Sequence, residues 1–146
     1  MMLRLDAFLP YRLSVASNAV SARISASYRK RFGLKVPEWR LIAILAESSE
    51  MTPQALGSVA RIDKISVSRA AAALIERGLI VARDNPEDGR SHLLALTEAG
   101  RVLYTEIAPL ALAMEAELLG SFSDEERVLL DGLLRRIEAA AGTDFP

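Results

Sequence analysis

The chain has no cysteine, one histidine (His92), one tryptophan and an aromatic content of only 5% across 146 residues. Without Cys there are no disulfides, no thiolate metal sites and no sensor working through cysteine oxidation. A single imidazole and no thiol make no zinc site, and a His-dependent triad would have to rest on His92 alone. A Gly-rich phosphate loop is missing as well. Long apolar runs are equally scarce. The opening MMLRLDAFLPYRL is too short and too interrupted by charge for a signal peptide or a spanning helix. These absences predict a cytoplasmic protein with no catalytic residues, no metal, no cofactor and no membrane association.

What is present suits one domain with a packed core: 51% of residues are apolar and 25% are charged. The net charge of −1 conceals an asymmetry. Residues 1–97 carry 14 Lys/Arg against 9 Asp/Glu, whereas residues 98–146 carry 4 against 10. Such a split fits a polyanion-facing part joined to a different part, and from charge alone solvated helix faces fit equally well.

Apolar residues at Leu9, Leu13, Ala16, Val20, Ile24 and Tyr28 predict a helix over about residues 9–31, stopped by Gly33. A second helix begins at Pro37, turns Trp39, Leu41, Ile42 and Leu45 inward, and fades in the polar run at residues 47–50. Thr52-Pro53 opens a short third helix to about residue 60. Asp63 caps a fourth, KISVSRAAAALIERG, whose end is marked by Arg77 and Gly78. The close spacing of these two helices is that of a helix-turn-helix, although the Gly common in such turns is displaced to Gly57. Leu79–Arg83, the turn NPEDGR and SHLLALT then read as a β-hairpin, with His92, Leu94 and Leu96 on one side. Thr97 caps a fifth, long helix in which Pro109 predicts a kink. Ser123 to Glu126 is a capping box opening a last helix with Leu130, Leu133, Leu134 and Ile137 inside. The expected fold class is mainly α with a small β-hairpin, in the order α-α-α-α-β-β-α-α.

A helix-turn-helix offers the start of its second helix to the DNA major groove. Here that start holds Lys64, Ile65, Ser66, Ser68 and Arg69. Hydroxyls and a cation suit base edges and phosphates, while local capping is the competing reading of both serines. At the hairpin tip, Arg90 suits the narrow, electronegative minor groove. Asp88 repels phosphate, so its role is internal, accepting from turn amides or fixing Arg90. Gly89 between them permits a positive φ. An exposed turn with an ion pair accounts for the tip alone equally well.

Taken together these residues resemble the winged helix-turn-helix of the multiple-antibiotic-resistance regulator (MarR) family. The wing pattern of that family is matched by Asp88, Arg90, Leu94, Leu96 and Thr97. Pro37, Trp39 and Arg40 open the second helix as in the family. Asp63, Lys64, Ser66, Val67, Ser68 and Arg69 open the recognition helix, and Leu74, Gly78 and Leu79 lead into the wing. Ile65 departs from the small polar residue many members carry, pointing to an apolar contact such as a thymine methyl.

The resemblance implies a homodimeric regulator, a repressor above all, that binds a pseudo-palindromic double-stranded DNA operator and is released by a small-molecule effector. It implies a DNA-binding lobe at residues 36–97 and a helical dimerisation region at residues 1–35 and 98–146. It also implies an effector cleft between these parts, near Tyr11, Arg12, Asn18, Trp39 and Arg40. An Arg beside aromatic rings suits an aromatic carboxylate or its acyl-CoA thioester. Arg29, Lys30 and Arg31, with Lys35, suit the phosphates of such a thioester or a solvated helix end near DNA. The competing class is a helix-turn-helix protein acting through protein contact, as an anti-regulator without specific DNA binding.

Overall fold

A computed structural model describes residues 1–142; Thr143–Pro146, the end of the expected dimerisation region, lie outside the described residues. A 3-10 turn at Leu5–Ala7 precedes helix α1, Leu9–Phe32, which has Pro in its first turn and ends at Gly33 with φ 64°. That left-handed conformation favours glycine. Helix α2, Val36–Ser48, starts where the Lys35 backbone N–H donates to Glu38 Oε1 at 3.0 Å. Helices α3, Pro53–Ala60, and α4, Lys64–Glu76, are each opened by a side-chain cap, Thr52 and Asp63 respectively. Strands β2, Ile80–Asp84, and β3, His92–Leu96, form the hairpin. Helix α5, Glu98–Leu118, runs through Pro109 as one helix, and α6, Asp124–Ala141, begins at the expected Ser123 capping box.

The element absent from the sequence reading is β1, Glu50–Met51, which follows Ser49 at φ 70°. It adds a third antiparallel strand, in the order β1-β3-β2, with Glu50 opposite Ala95 and Met51 opposite Leu94. Two residues are too few for any periodicity to register. Their pairing makes β3 central, which is why Ala95 is buried along with Leu94 and Leu96 while His92, out on the hairpin, is exposed.

The core lies among α2, α3, α4, the sheet and one end of each long helix. Leu41, Leu45, Leu56, Leu74 and Leu94 are fully buried, α1 adds Tyr28, and α5 adds Ile107. Along α1 the apolar stripe weakens away from that core: Ile24 and Val20 are half-buried, Leu13 and Leu9 exposed. Helix α6 corrects an expectation. Leu130, Leu133, Leu134 and Ile137 are exposed rather than inside, because no residue of α6 is buried against its own chain. Leu129 extends this open apolar face, while Val128 is exposed on the opposite side of the helix.

Candidate nucleic-acid interface and adjoining cavity

The recognition element is built from the turn between α3 and α4. No glycine sits in it; Arg61 itself adopts the left-handed conformation at φ 56°. Gly57 serves another purpose: a Cβ there would crowd the Ile62 carbonyl oxygen and Val67 Cγ2, so its absence lets the two helices approach. Asp63 then fixes the start of α4, its Oδ1 accepting from Ser66 N and its Oδ2 from Ser66 Oγ, both at 2.8 Å. These bonds, the backbone one foremost, hold the Asp63 carboxyl below the ordinary carboxylate range. Ser66 is therefore a cap partner here, its hydroxyl proton committed to Asp63. Lys64, Ser68 and Arg69 stand exposed around it, and Ile65 is 64% exposed.

The wing tip closes without a left-handed glycine. Among the described residues positive φ falls at Gly33, Gly78, Gly142, Ser49 and Arg61, so the conformation expected of Gly89 is not adopted. Side chains shape the tip instead. Asn85 Oδ1 accepts from Glu87 N at 3.0 Å, and Asn85 Nδ2 donates to Ser91 Oγ at 2.8 Å. Asp88 Oδ1 accepts from the Arg90 backbone N–H at 2.9 Å. Of the two roles expected for Asp88, the turn-amide contact is the one present; the Arg90 side chain is exposed and makes no ion pair with Asp88. Between wing and recognition helix runs a groove of about 690 Å³ whose wall includes Gln54, Lys64, Ser68, Ile75 and His92.

A second cavity, of about 340 Å³, lies where α1, α2 and α5 converge. Val20, Ile24, Tyr28, Trp39, Met114 and Leu118 make it apolar, with Arg23 and Glu115 also on its wall. Tyr28 and Trp39 rings lie 5.0 Å apart, and burial pushes the Tyr28 phenol up. The buried Trp39 indole N–H has no hydrogen-bond partner among the described residues. Arg23 Nη2 reaches across to Glu117 on α5, both side chains more than half exposed. Of the five residues expected near an effector, only Trp39 lines this cavity. Tyr11, Arg12 and Asn18 lie on the exposed half of α1, and Arg40 faces solvent on α2. Arg29, Lys30, Arg31 and Lys35 are exposed around the end of α1.

Sequence reasoning missed two joints. Arg77, used only as a helix-end marker, donates from Nη2 to Phe32 O at 3.0 Å and from Nη1 to Gly33 O at 3.3 Å. The Thr97 hydroxyl, besides capping α5, donates to Gly78 O at 2.6 Å. Among the described residues no cluster of His, Asp and Glu forms a metal site, and no helix is long and apolar enough to cross a membrane.

A family model described as the MarR family matches residues 32–91. The chain is 32% identical over 104 residues to the HTH-type transcriptional regulator YwoH of Bacillus subtilis, covering 71% of this chain and 75% of that one. A MarR/EmrR family transcriptional regulator from an Acinetobacter species superposes with a TM-score of 0.87 at 28% identity, over 95% of this chain and 98% of that one. BpsR of Bordetella bronchiseptica, whose DNA binding is regulated by 6-hydroxynicotinic acid, shares the fold at TM-score 0.87 and 22% identity, over 94% and 98% of the two chains. A mutant of MarR from Escherichia coli, complexed with operator DNA, does so at 0.82 and 21%, over 94% and 99%.

Proposed function

The chain belongs to the MarR family of DNA-binding transcriptional regulators, and from that premise we propose that it is a homodimeric repressor released from its operator by a small aromatic acid. Residues 36–97 form the DNA-binding lobe in this reading, and residues 1–35 with 98–146 the dimerisation region. Lys64, Ile65, Ser68 and Arg69 meet the major groove, Arg90 enters the minor groove, and Ser66 and Asp88 brace the two contact elements. The open apolar face of α6 supports dimerisation, since such a surface is costly to leave in water. Two copies related by a two-fold axis read two half-sites, hence a pseudo-palindrome. An operator-binding protein works where the chromosome is, in the cytoplasm.

The observation that carries the effector reading is the 340 Å³ apolar cavity with Arg23 on its wall. It suits an aromatic ring with one carboxylate, and 6-hydroxynicotinic acid, which regulates the similarly folded BpsR, has that chemistry. A ligand carboxylate reaching Arg23 competes with Glu117. The exposed Arg23–Glu117 pair is cheap to break, contributing about 0–1 kcal/mol. Its loss removes one link between α1 and α5, and the ligand packed among α1, α2 and α5 changes the separation of the two lobes. An acyl-CoA thioester is the larger alternative, its aromatic part in the cavity and its phosphates at Arg29, Lys30, Arg31 and Lys35.

Trp39, the chain's only tryptophan, makes the test direct. Benzoate-type and pyridine carboxylic acids, and their thioesters, are titrated while Trp39 emission and binding to the DNA upstream of the chain's own gene are followed. The expected result is an emission change and operator release at the same ligand concentrations. A specific, salt-sensitive DNA complex that no such acid perturbs rejects the effector reading alone. Absence of any specific complex rejects the operator reading.

A further inference from the structure

The recognition helix is tied at its far end to the long helix that leads away from the DNA-binding lobe. Helix α1 ends in a left-handed Gly33 whose N–H satisfies the Arg29 and Tyr28 carbonyls, and Leu34 N–H returns to Tyr28 O at 3.3 Å. The carbonyls of Phe32 and Gly33 lie outside those bonds, at the negative end of the helix dipole. The Arg77 guanidinium takes both, one nitrogen to each oxygen, across 45 and 44 residues of sequence. A planar two-pronged donor offers one nitrogen to each of two successive carbonyls in a fixed plane; an ammonium would have to reach both from a single nitrogen on a flexible stem. The next residue, Gly78, accepts from Thr97 at the start of α5. The end of α4 is therefore hydrogen-bonded, within two consecutive residues, to α1 and to the approach to α5.

Helix α4 spans about 20 Å, with the DNA-facing residues at the end opposite to this anchor. A tilt of about 5° about the anchor moves the far end by nearly 2 Å, a distance that matters for half-sites about one duplex turn apart. We propose that Arg77 is a positioning residue: its two bonds to the end of α1 set the tilt of the recognition helix, and with it the half-site spacing that the dimer accepts. The inference rests on the dimeric, operator-binding reading above. It assigns no DNA contact to Arg77.

The test uses the full chain with Arg77→Gln and Arg77→Lys. Binding is measured to a single half-site and to operators whose half-site spacing is changed by one or two base pairs either way. Both variants are expected to bind the single half-site within about twofold of wild type, with an unchanged salt slope. On the natural spacing they lose about tenfold, and the penalty for altered spacing shrinks. A second readout needs no DNA. The chain lacks cysteine, so Ala72→Cys, exposed on α4, carries one spin label per copy. The distance between labels is expected to be narrow in wild type and broadened in Arg77→Gln. An unchanged spacing preference with an unchanged distance distribution overturns the proposal, as does a fall in half-site affinity or salt slope, which makes Arg77 a DNA contact. Absence of any inter-label distance means the chain is a monomer, which overturns the dimeric reading and the proposal with it.

Discussion

The Thr97 hydroxyl donates to the Gly78 carbonyl oxygen at 2.6 Å and accepts from the Gly100 N–H at 3.1 Å, while its backbone N–H donates to Leu79 O. One residue thereby closes the hairpin, caps α5 and fastens the end of α4. Thr97→Val keeps the shape and removes both hydroxyl bonds. It is expected to destabilise the chain by about 1–2 kcal/mol, seen as a lower denaturation midpoint with an unchanged slope, and Thr97→Ser is expected to recover most of the loss.

Two glycines eleven residues apart are expected to respond differently to alanine. At Gly100 a methyl group overlaps the Leu79 carbonyl oxygen and presses on Leu96 Cδ2, and a backbone atom cannot rotate away. Gly100→Ala is expected to lower stability by about 1–3 kcal/mol. At Gly89 a methyl meets nothing within 4 Å, and its φ lies outside the left-handed region. Gly89→Ala is expected to leave the melting temperature of the chain unchanged. Parallel thermal unfolding of the two variants checks both.

The contrast between those glycines marks what a sequence makes legible. Helices announce themselves through apolar period and caps, and Asp63, Thr97 and Ser123 all cap as their side chains indicate. Gly89 offers conformational freedom, but Asn85 and Asp88 close the tip with side-chain acceptors, so that freedom goes unused. Strand β1 exists only through its pairing with β3, a long-range fact with no local pattern. The cavity was illegible for the same reason. Its wall includes Arg23 on α1 and Met114 on α5, while Tyr11 lies about 18 Å from Arg23 along the helix. The α6 stripe is legible as apolar but not as exposed in the single chain; periodicity names a face that needs covering without saying what covers it.

On the proposed wing contact, Arg90 and Asp88 are expected to make separable contributions to DNA binding. Arg90→Ala is expected to weaken operator binding by about 1–3 kcal/mol and to reduce the salt slope by about one. Asp88→Ala removes the acceptor for the Arg90 N–H, so affinity falls while the salt slope holds, because no cation is lost. Arg136→Ala on exposed α6 serves as the charge control. Arg127 is unsuitable, since it donates to Leu119 O and joins α6 to α5. Anisotropy titrations over a range of salt concentrations separate the three; an Arg136→Ala slope change equal to that of Arg90→Ala counts against the wing contact.

The cap at the recognition helix gives acid sensitivity of known sign. Asp63 is held below the ordinary carboxylate range by the Ser66 amide and hydroxyl, so its folded pKa lies below its unfolded one. Its contribution is fully present above the unfolded value and is lost as pH falls through the folded value. Stability measured from pH 5 downward is expected to fall less steeply in Asp63→Asn, which keeps an acceptor without the titration, than in wild type. Identical acid limbs would remove Asp63 from the account.

The exposed face of α6 yields the sharpest test of assembly. Leu133 and Leu134 are each about 40% exposed in the single chain, and no residue of α6 belongs to its own core. A charge placed there therefore has little to disrupt within one copy and much to disrupt between two. Leu133→Glu is expected to halve the mass measured by sedimentation while circular dichroism retains the helical content. Operator affinity is expected to fall by about a hundredfold or more, because each half-site then binds alone. A variant that keeps the wild-type mass places the dimer contact elsewhere on the chain. One that loses its helices instead shows that α6 is needed by the single chain, contrary to its exposure here.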